Sequence, residues 1–190
     1  KISNNYLYNY EEYVYTTFMG IAVNKYHASE IKQEKSEKKL YSIDTGLVSA
    51  VEYSISENRG KLLENAVALE LVRSGFQVFY YKDRYECDFI AEKDNKLTAI
   101  QVCWDYGREG TLERELRGLY HACEDNGIKD GILLTFDQKS DHKYNGKTYK
   151  SIPFYEYFLN DWFFIEYSTL SKDTVYRVFT NISQPILIIF

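Results

Sequence analysis

The spacing of apolar residues changes repeatedly along the chain, and each change marks an element. In GKLLENAVALELVRSG, Val67, Ala68 and Leu71 follow Glu64 at three, four and seven positions. That is one face of a helix from about Gly60 to Ser74, stopped by Gly75. The period then shortens to two, predicting strands in QVFYYK (77–82), ECDFIAE (86–92) and LTAIQVCW (97–104), with KDNK as the hairpin turn between the last two. A second helix is predicted over Thr111–Asn126, where Leu112, Leu116, Leu119 and Cys123 form an apolar stripe. Thr111 is its expected N-cap and Gly127 lies just past its end. GILLTF (131–136) reads as a buried strand, and NGK at 145–147 as a hairpin turn before YKSIPFYEYFL.

The flanks are less regular. KKLYSIDTGL (38–47) gives a short strand and a turn at Asp44–Gly46, whereas His27–Lys39 has no apolar period and reads as a loop or hairpin arm. Residues 5–18 are aromatic-rich, expected as a short helix running into a strand, and 161–190 alternate like one or two further strands. The order helix, three strands, helix, strand predicts an α/β domain with a central mixed sheet flanked by helices.

Within this pattern three polar residues stand where apolar ones are expected. Glu64 shares its helix face with Val67, Ala68 and Leu71. Asp88 sits inside a strand, where Asp is disfavoured. Alternation groups Glu86, Asp88 and Ile90 against Cys87 and Phe89, and Ala99, Gln101 and Cys103 against Ile100, Val102 and Trp104. Each polar group needs a partner or a purpose. A rim position for Glu64 and a solvated strand start for Asp88 are the plain readings. The other is convergence: the hairpin at 93–96 brings Asp88 and Gln101 onto adjacent strands, and two oxygen donors on one face suit Mg²⁺ better than zinc.

Composition narrows the class. The 190 residues are 45% hydrophobic and 17% aromatic, with 19 Tyr and only 2 Pro, which fits a packed domain and excludes a disordered chain. A net charge of −5 argues against a domain built mainly to grip nucleic acid, though a local basic stripe is compatible with it. Cys87, Cys103 and Cys123 are far apart, neither a disulfide framework nor a zinc set, so a reducing, cytoplasmic setting is expected. ILIIF, the longest apolar run near the C-terminus, is too short to span a bilayer, and no membrane role is expected. Arg114, Arg117 and His121 share the polar face of the second helix, with Arg108 at its approach. They are read either as a solvated face balanced by Glu113, Glu115 and Glu124 or as a phosphate-contacting stripe.

The order Gly60-x-x-x-Glu64, then Asp88, then Gln101-x-Cys103 resembles the PD-(D/E)XK, or restriction-endonuclease-like, superfamily. There a helix supplies a Glu, one strand an Asp, and the next a Glu or Gln followed two residues later by Lys. KKLYSIDTGL, GKLLENAVALELVRSG, VFYYK…ECDFIAE, AIQVCWD, TLERELRGL and SIPFYEYFL follow one another as in prokaryotic AAA+ ATPases with such a C-terminal domain, of the DUF4143 type. The resemblance covers roughly residues 38–160. It implies the restriction-endonuclease-like fold, a site of Glu64, Asp88 and Gln101 with Asp88 and Gln101 as ligands for Mg²⁺ if active, and an ATPase module in the same full-length chain. Residues 1–37 would then be the remnant of a winged-helix region and 161–190 a C-terminal extension. No G-x-x-x-x-G-K-[ST] loop is present, so the chain holds no ATPase site itself.

One departure decides the functional expectation. Cys103 stands where the lysine should be, and a thiol near neutral pH cannot replace an ammonium beside phosphate. Gln101 is a neutral amide, a weaker ligand than a carboxylate. The expectation is a degenerate, non-catalytic domain that binds nucleic acid, with DNA among its candidate partners, or a protein partner. The alternative is an active Mg²⁺-dependent endonuclease with its lysine relocated, for which Lys61, Lys82 and Lys96 are candidates. A third reading is a structural or homo-oligomerising domain that adds strands from 161–190 to another chain's sheet edge. His27 and His142, expected in polar loops, carry no role.

Overall fold

The computed structural model describes residues 19–44 and 59–162, together with Tyr13, Thr16, Thr17 and Gly46. The helix expected over 5–18 falls almost wholly outside these residues, and so do the strands expected over 161–190, except that Asp161 and Trp162 are helical rather than extended. The described elements are β1 (Gly20–Lys25), α1 (Glu30–Lys35), β2 (Lys38–Ser42), α2 (Arg59–Arg73), β3 (Gln77–Lys82), β4 (Glu86–Lys93) and β5 (Lys96–Cys103). They continue with α3 (Thr111–Asn126), β6 (Asp130–Thr135), β7 (Ser140–Tyr144), β8 (Lys147–Pro153) and α4 (Phe154–Trp162). The strands form one mixed sheet in the order β2-β1-β3-β4-β5-β6-β8-β7.

Its centre is the predicted hairpin of β4 and β5, closed by Asp94 and Asn95, both at positive φ (52° and 59°). Two short polar residues tolerate that conformation, which matches the twist of the strands. Asn145 and Gly146, at φ 45° and 78°, close the β7–β8 hairpin in the same way. β5, α3 and β6 form a parallel crossover, so the two faces of the sheet are covered by different helices. On one face Val67, Ala68 and Leu71 of α2 pack with Phe89, Ala91, Ile100 and Val102, joined by Phe154 and Phe158 of α4. On the other, Leu116, Leu119, Ala122 and Cys123 of α3 pack with Cys87, Ile90 and Ala99.

α3 comes unusually close to the sheet at Gly118. A Cβ there would lie far inside van der Waals contact with the backbone carbonyl of Glu86, so only glycine fits without a shift.

β1, N-terminal to residue 37, lies in the sheet between β2 and β3. Three expectations need correction. The segment read as a loop or hairpin arm holds the helix α1, short enough that no apolar face is required. Thr111 is the first helical residue of α3 rather than its cap; Gly110, at φ 75°, holds the cap position without a side-chain bond. His142 lies in β7, where its Nε2 is 3.1 Å from Ser151 Oγ. Among the described residues no helix is long and apolar enough to cross a membrane.

Candidate functional site

The position of Asp88 follows from a break in alternation. Phe79 of β3 pairs with Ile90 of β4, but Tyr81 pairs with Cys87, so two residues of β4, Asp88 and Phe89, oppose Tyr80 alone. This bulge turns Asp88 and Phe89 to the same side. Cys87 and Ile90 then share the α3 face, while Phe89 and Ala91 lie on the α2 face. The expected grouping of Ile90 with Asp88, and of Cys87 with Phe89, is therefore overturned by one extra residue in the strand.

Beyond the Phe89–Ile100 pair the β4 and β5 backbones separate, and side chains take over their hydrogen bonds. The Val102 N–H donates to Asp88 Oδ2 (2.9 Å), and the Asp88 N–H donates to Gln101 Oε1 (3.2 Å). Gln101 Nε2 in turn donates to Glu115 Oε2 of α3 (2.6 Å). Glu115 is buried, and its other oxygen accepts from Arg114. The amide of Gln101 is thus satisfied on both sides and bridges β4 to α3. Asp88 and Gln101 are brought together as expected, but through the Asp88 N–H rather than its carboxylate.

The carboxylate of Asp88 meets Glu64, reached from α2, and a group the sequence reading did not single out. Lys39 of β2 places its Nζ 2.7 Å from Glu86 Oε1, 3.3 Å from Glu64 Oε1 and 3.8 Å from Asp88 Oδ1. Tyr41, two residues on and therefore on the same face of β2, donates its hydroxyl to Glu64 Oε1 (2.6 Å). Asn65 fixes this strand against α2: its side chain accepts from the Ser42 N–H (2.8 Å) and donates to the Ser42 carbonyl (2.7 Å). The signal was present in KKLYS, where Lys39 and Tyr41 alternate with exposed residues, but nothing local shows what they face.

Electrostatics follow from burial. Burial, then the neighbouring Glu64 carboxylate, pushes the Asp88 carboxyl up to about 8, against the pull of Lys39 and the Val102 N–H. Burial works against the Lys39 ammonium, but Glu64, Glu86 and Asp88 outweigh it and hold its pKa above the ordinary lysine value. Burial and then Glu64 raise Tyr41 far out of its usual range, so it stays a donor. Cys103 is buried, and desolvation followed by Glu115 pushes its thiol up to about 11. It is neither a thiolate nucleophile nor a cation.

The expected lysine candidates lie elsewhere or face other partners. Lys96 is at the far end of β5, paired with Asp130 (2.9 Å), and Lys82 is 3.9 Å from Glu86. Lys61 lines a cavity of about 590 Å³ together with Lys39, Tyr41 and Glu64. Arg108 is exposed, and Arg114 is tied to Glu115. The guanidinium of Arg117 lies 5.5 Å from the centre of the Tyr85 ring.

A hard divalent cation takes an octahedral shell of oxygens. Here Glu64 Oε1, Asp88 Oδ2 and Gln101 Oε1 each already accept a hydrogen bond from the protein. Among the described residues no three His, Cys, Asp or Glu side chains are arranged to hold a metal ion. In this arrangement Glu64, Glu86 and Asp88 face the Lys39 ammonium.

Comparison with known proteins gives the lineage. Residues 59–157, which include α2, the β4–β5 hairpin, α3 and β8, match the model of a domain of unknown function, DUF4143. The chain belongs to this family. It is similar to an uncharacterised protein of Methanocaldococcus jannaschii, 38% identical over 130 residues, which is 66% of this chain and 28% of that protein. It is also similar to an uncharacterised protein of Haemophilus influenzae, 31% identical over 134 residues, 70% of this chain and 32% of the other. The chain thus spans about a third or less of the length of these relatives. No solved structure matches it.

Proposed function

We propose that this DUF4143 domain is a restriction-endonuclease-like module that no longer cuts: a non-catalytic part of a larger, ATPase-bearing protein that binds nucleic acid. One observation carries the loss of catalysis. The Lys39 ammonium stands among Glu64, Glu86 and Asp88, where a nuclease of this pattern would bind its metal. A resident cation from the protein compensates the negative charge of this cluster without supplying a Lewis acid or an activated water. Cys103 at the lysine position and the internally satisfied amide of Gln101 support the same reading. The greater length of the relatives leaves room for an ATPase module.

The second reading takes the same lysine the other way. An ammonium beside Asp88 and Glu64, delivered from β2, is a relocated lysine, and it would support a Mg²⁺-dependent DNA endonuclease. The two separate by incubating supercoiled plasmid and branched DNA with the protein in Mg²⁺ or Mn²⁺, beside Asp88→Ala. The proposal expects intact DNA in both. Cleavage by the natural chain that Asp88→Ala abolishes would replace it with the second reading.

A further inference from the structure

The exposed side of α3 carries a run of cationic and aromatic groups that the metal-like site does not use. Tyr85, in the turn between β3 and β4, stacks on His121 of α3 with ring centres 4.3 Å apart and an interplanar angle of 22°. The guanidinium groups of Arg84 and Arg117 each lie 5.5 Å from the centre of the same Tyr85 ring. Further along α3, Tyr120 meets His121 edge-on at 5.4 Å, and the Lys147 ammonium lies 5.9 Å from the Tyr120 ring. Arg117, Tyr120 and His121 fall on one helical face by their spacing of three and four residues.

The charge balance differs along this run. Lys147 is paired with Glu124, and Arg114, one turn before Arg117, with Glu115. Arg84 and Arg117 form no ion pair among the described residues, although the chain carries a net charge of −5. Arg84 is exposed, and Arg117, Tyr85 and His121 are half-buried. Two guanidinium groups thus lie within 5.5 Å of the centre of a ring that is itself stacked on a second ring. Groups already placed against a ring lose less freedom when they meet an anion than side chains that extend free into water.

We infer that Arg84, Tyr85, Arg117 and His121 form a docking platform for single-stranded nucleic acid. The guanidinium N–H groups contact the backbone phosphates, and their planes, continued by Tyr120, accept unpaired bases. A single strand is favoured over a duplex because a duplex keeps its bases stacked on one another and offers only phosphates to such a surface. From Arg117 to Glu124 the helix rises roughly 10 Å, and the flanking Arg84 and Lys147 lengthen the run to the span of a few nucleotides. This rests on the nucleic-acid half of the proposed function and names the form of nucleic acid and the surface that takes it.

The test is fluorescence anisotropy of the 190-residue chain with a labelled oligothymidylate of about 20 nucleotides, against the same length of duplex, over a range of salt. The single strand should bind more tightly than the duplex. Arg84→Ala with Arg117→Ala should weaken it on the order of tenfold and make the log–log salt slope shallower by about 1.4, the value for two single-strand phosphates. Arg84→Gln with Arg117→Gln, which removes charge but preserves much of the packing, should do the same and stands in if the alanine pair unfolds. If the natural chain binds the strand and both double variants bind equally well, the platform is wrong while the nucleic-acid reading stands. A tighter duplex than single strand overturns the choice of ligand, and no binding to either overturns both.

Discussion

Replacing Asp88 by asparagine preserves the shape of the side chain, including the oxygen that accepts from the Val102 N–H, and removes its titration. In the folded chain burial and Glu64 hold the Asp88 carboxyl at about 8, whereas an unfolded Asp titrates near about 3.9. Between these values the native state keeps a proton that the unfolded state has released. Stability from this group is therefore complete below about pH 4 and is lost as pH rises towards about 8. The span is roughly 4 pH units at about 1.4 kcal/mol each, so the natural residue costs on the order of 2–5 kcal/mol at alkaline pH once interior screening is allowed for. Urea unfolding at several pH values reads this directly. Asp88→Asn should match the natural chain within about 1 kcal/mol near pH 4 and exceed its stability by a few kcal/mol near pH 9. A difference that does not change with pH, or a variant less stable at pH 9, refutes the placement of Asp88 as a buried carboxyl beside Glu64.

Three further outcomes follow from named contacts. Asn65→Ala removes both side-chain bonds to Ser42 and leaves partly buried backbone groups at the end of β2 without these partners, so thermal unfolding should show a loss of about 1–3 kcal/mol. Gly118→Ala forces α3 away from the Glu86 carbonyl and should cost about 1–3 kcal/mol by the same measurement, with Gly118→Ser no better. Cys103, with its thiol near about 11, should react with iodoacetamide in the folded protein far more slowly than an exposed thiol at pH 8, and at the ordinary rate in denaturant.

The parts of the fold set by local pattern were legible: α3 matches its predicted range, and the β4–β5 and β7–β8 hairpins fall on the turns KDNK and NGK. Those signals are local because a turn needs its positive-φ residues and a helix its stripe, wherever the chain goes afterwards. Glu64, Asp88 and Gln101 stood out because each is polar in an apolar context, and the structure does bring Asp88 beside the other two. What they contact could not be read from spacing. The bulge at Asp88–Phe89 has no signature in ECDFIAE, since it is set by pairing with β3. Lys39 reaches Glu64 across 25 residues of sequence, and Glu115 meets Gln101 across a helix–sheet interface, so both depend on tertiary packing. β1 lacked the strict alternation of a half-buried strand, because its burial follows a spacing of three rather than two.

The most direct test of the central claim, that Lys39 occupies the place of the metal, is titration of the folded chain with Mn²⁺ followed by electron paramagnetic resonance, beside Asp88→Ala. The account predicts that the natural chain leaves the free Mn²⁺ signal unchanged, as Asp88→Ala does, up to about 1 mM, well above the affinity of a formed site. A saturable loss of free Mn²⁺ in the natural chain that Asp88→Ala abolishes would contradict it.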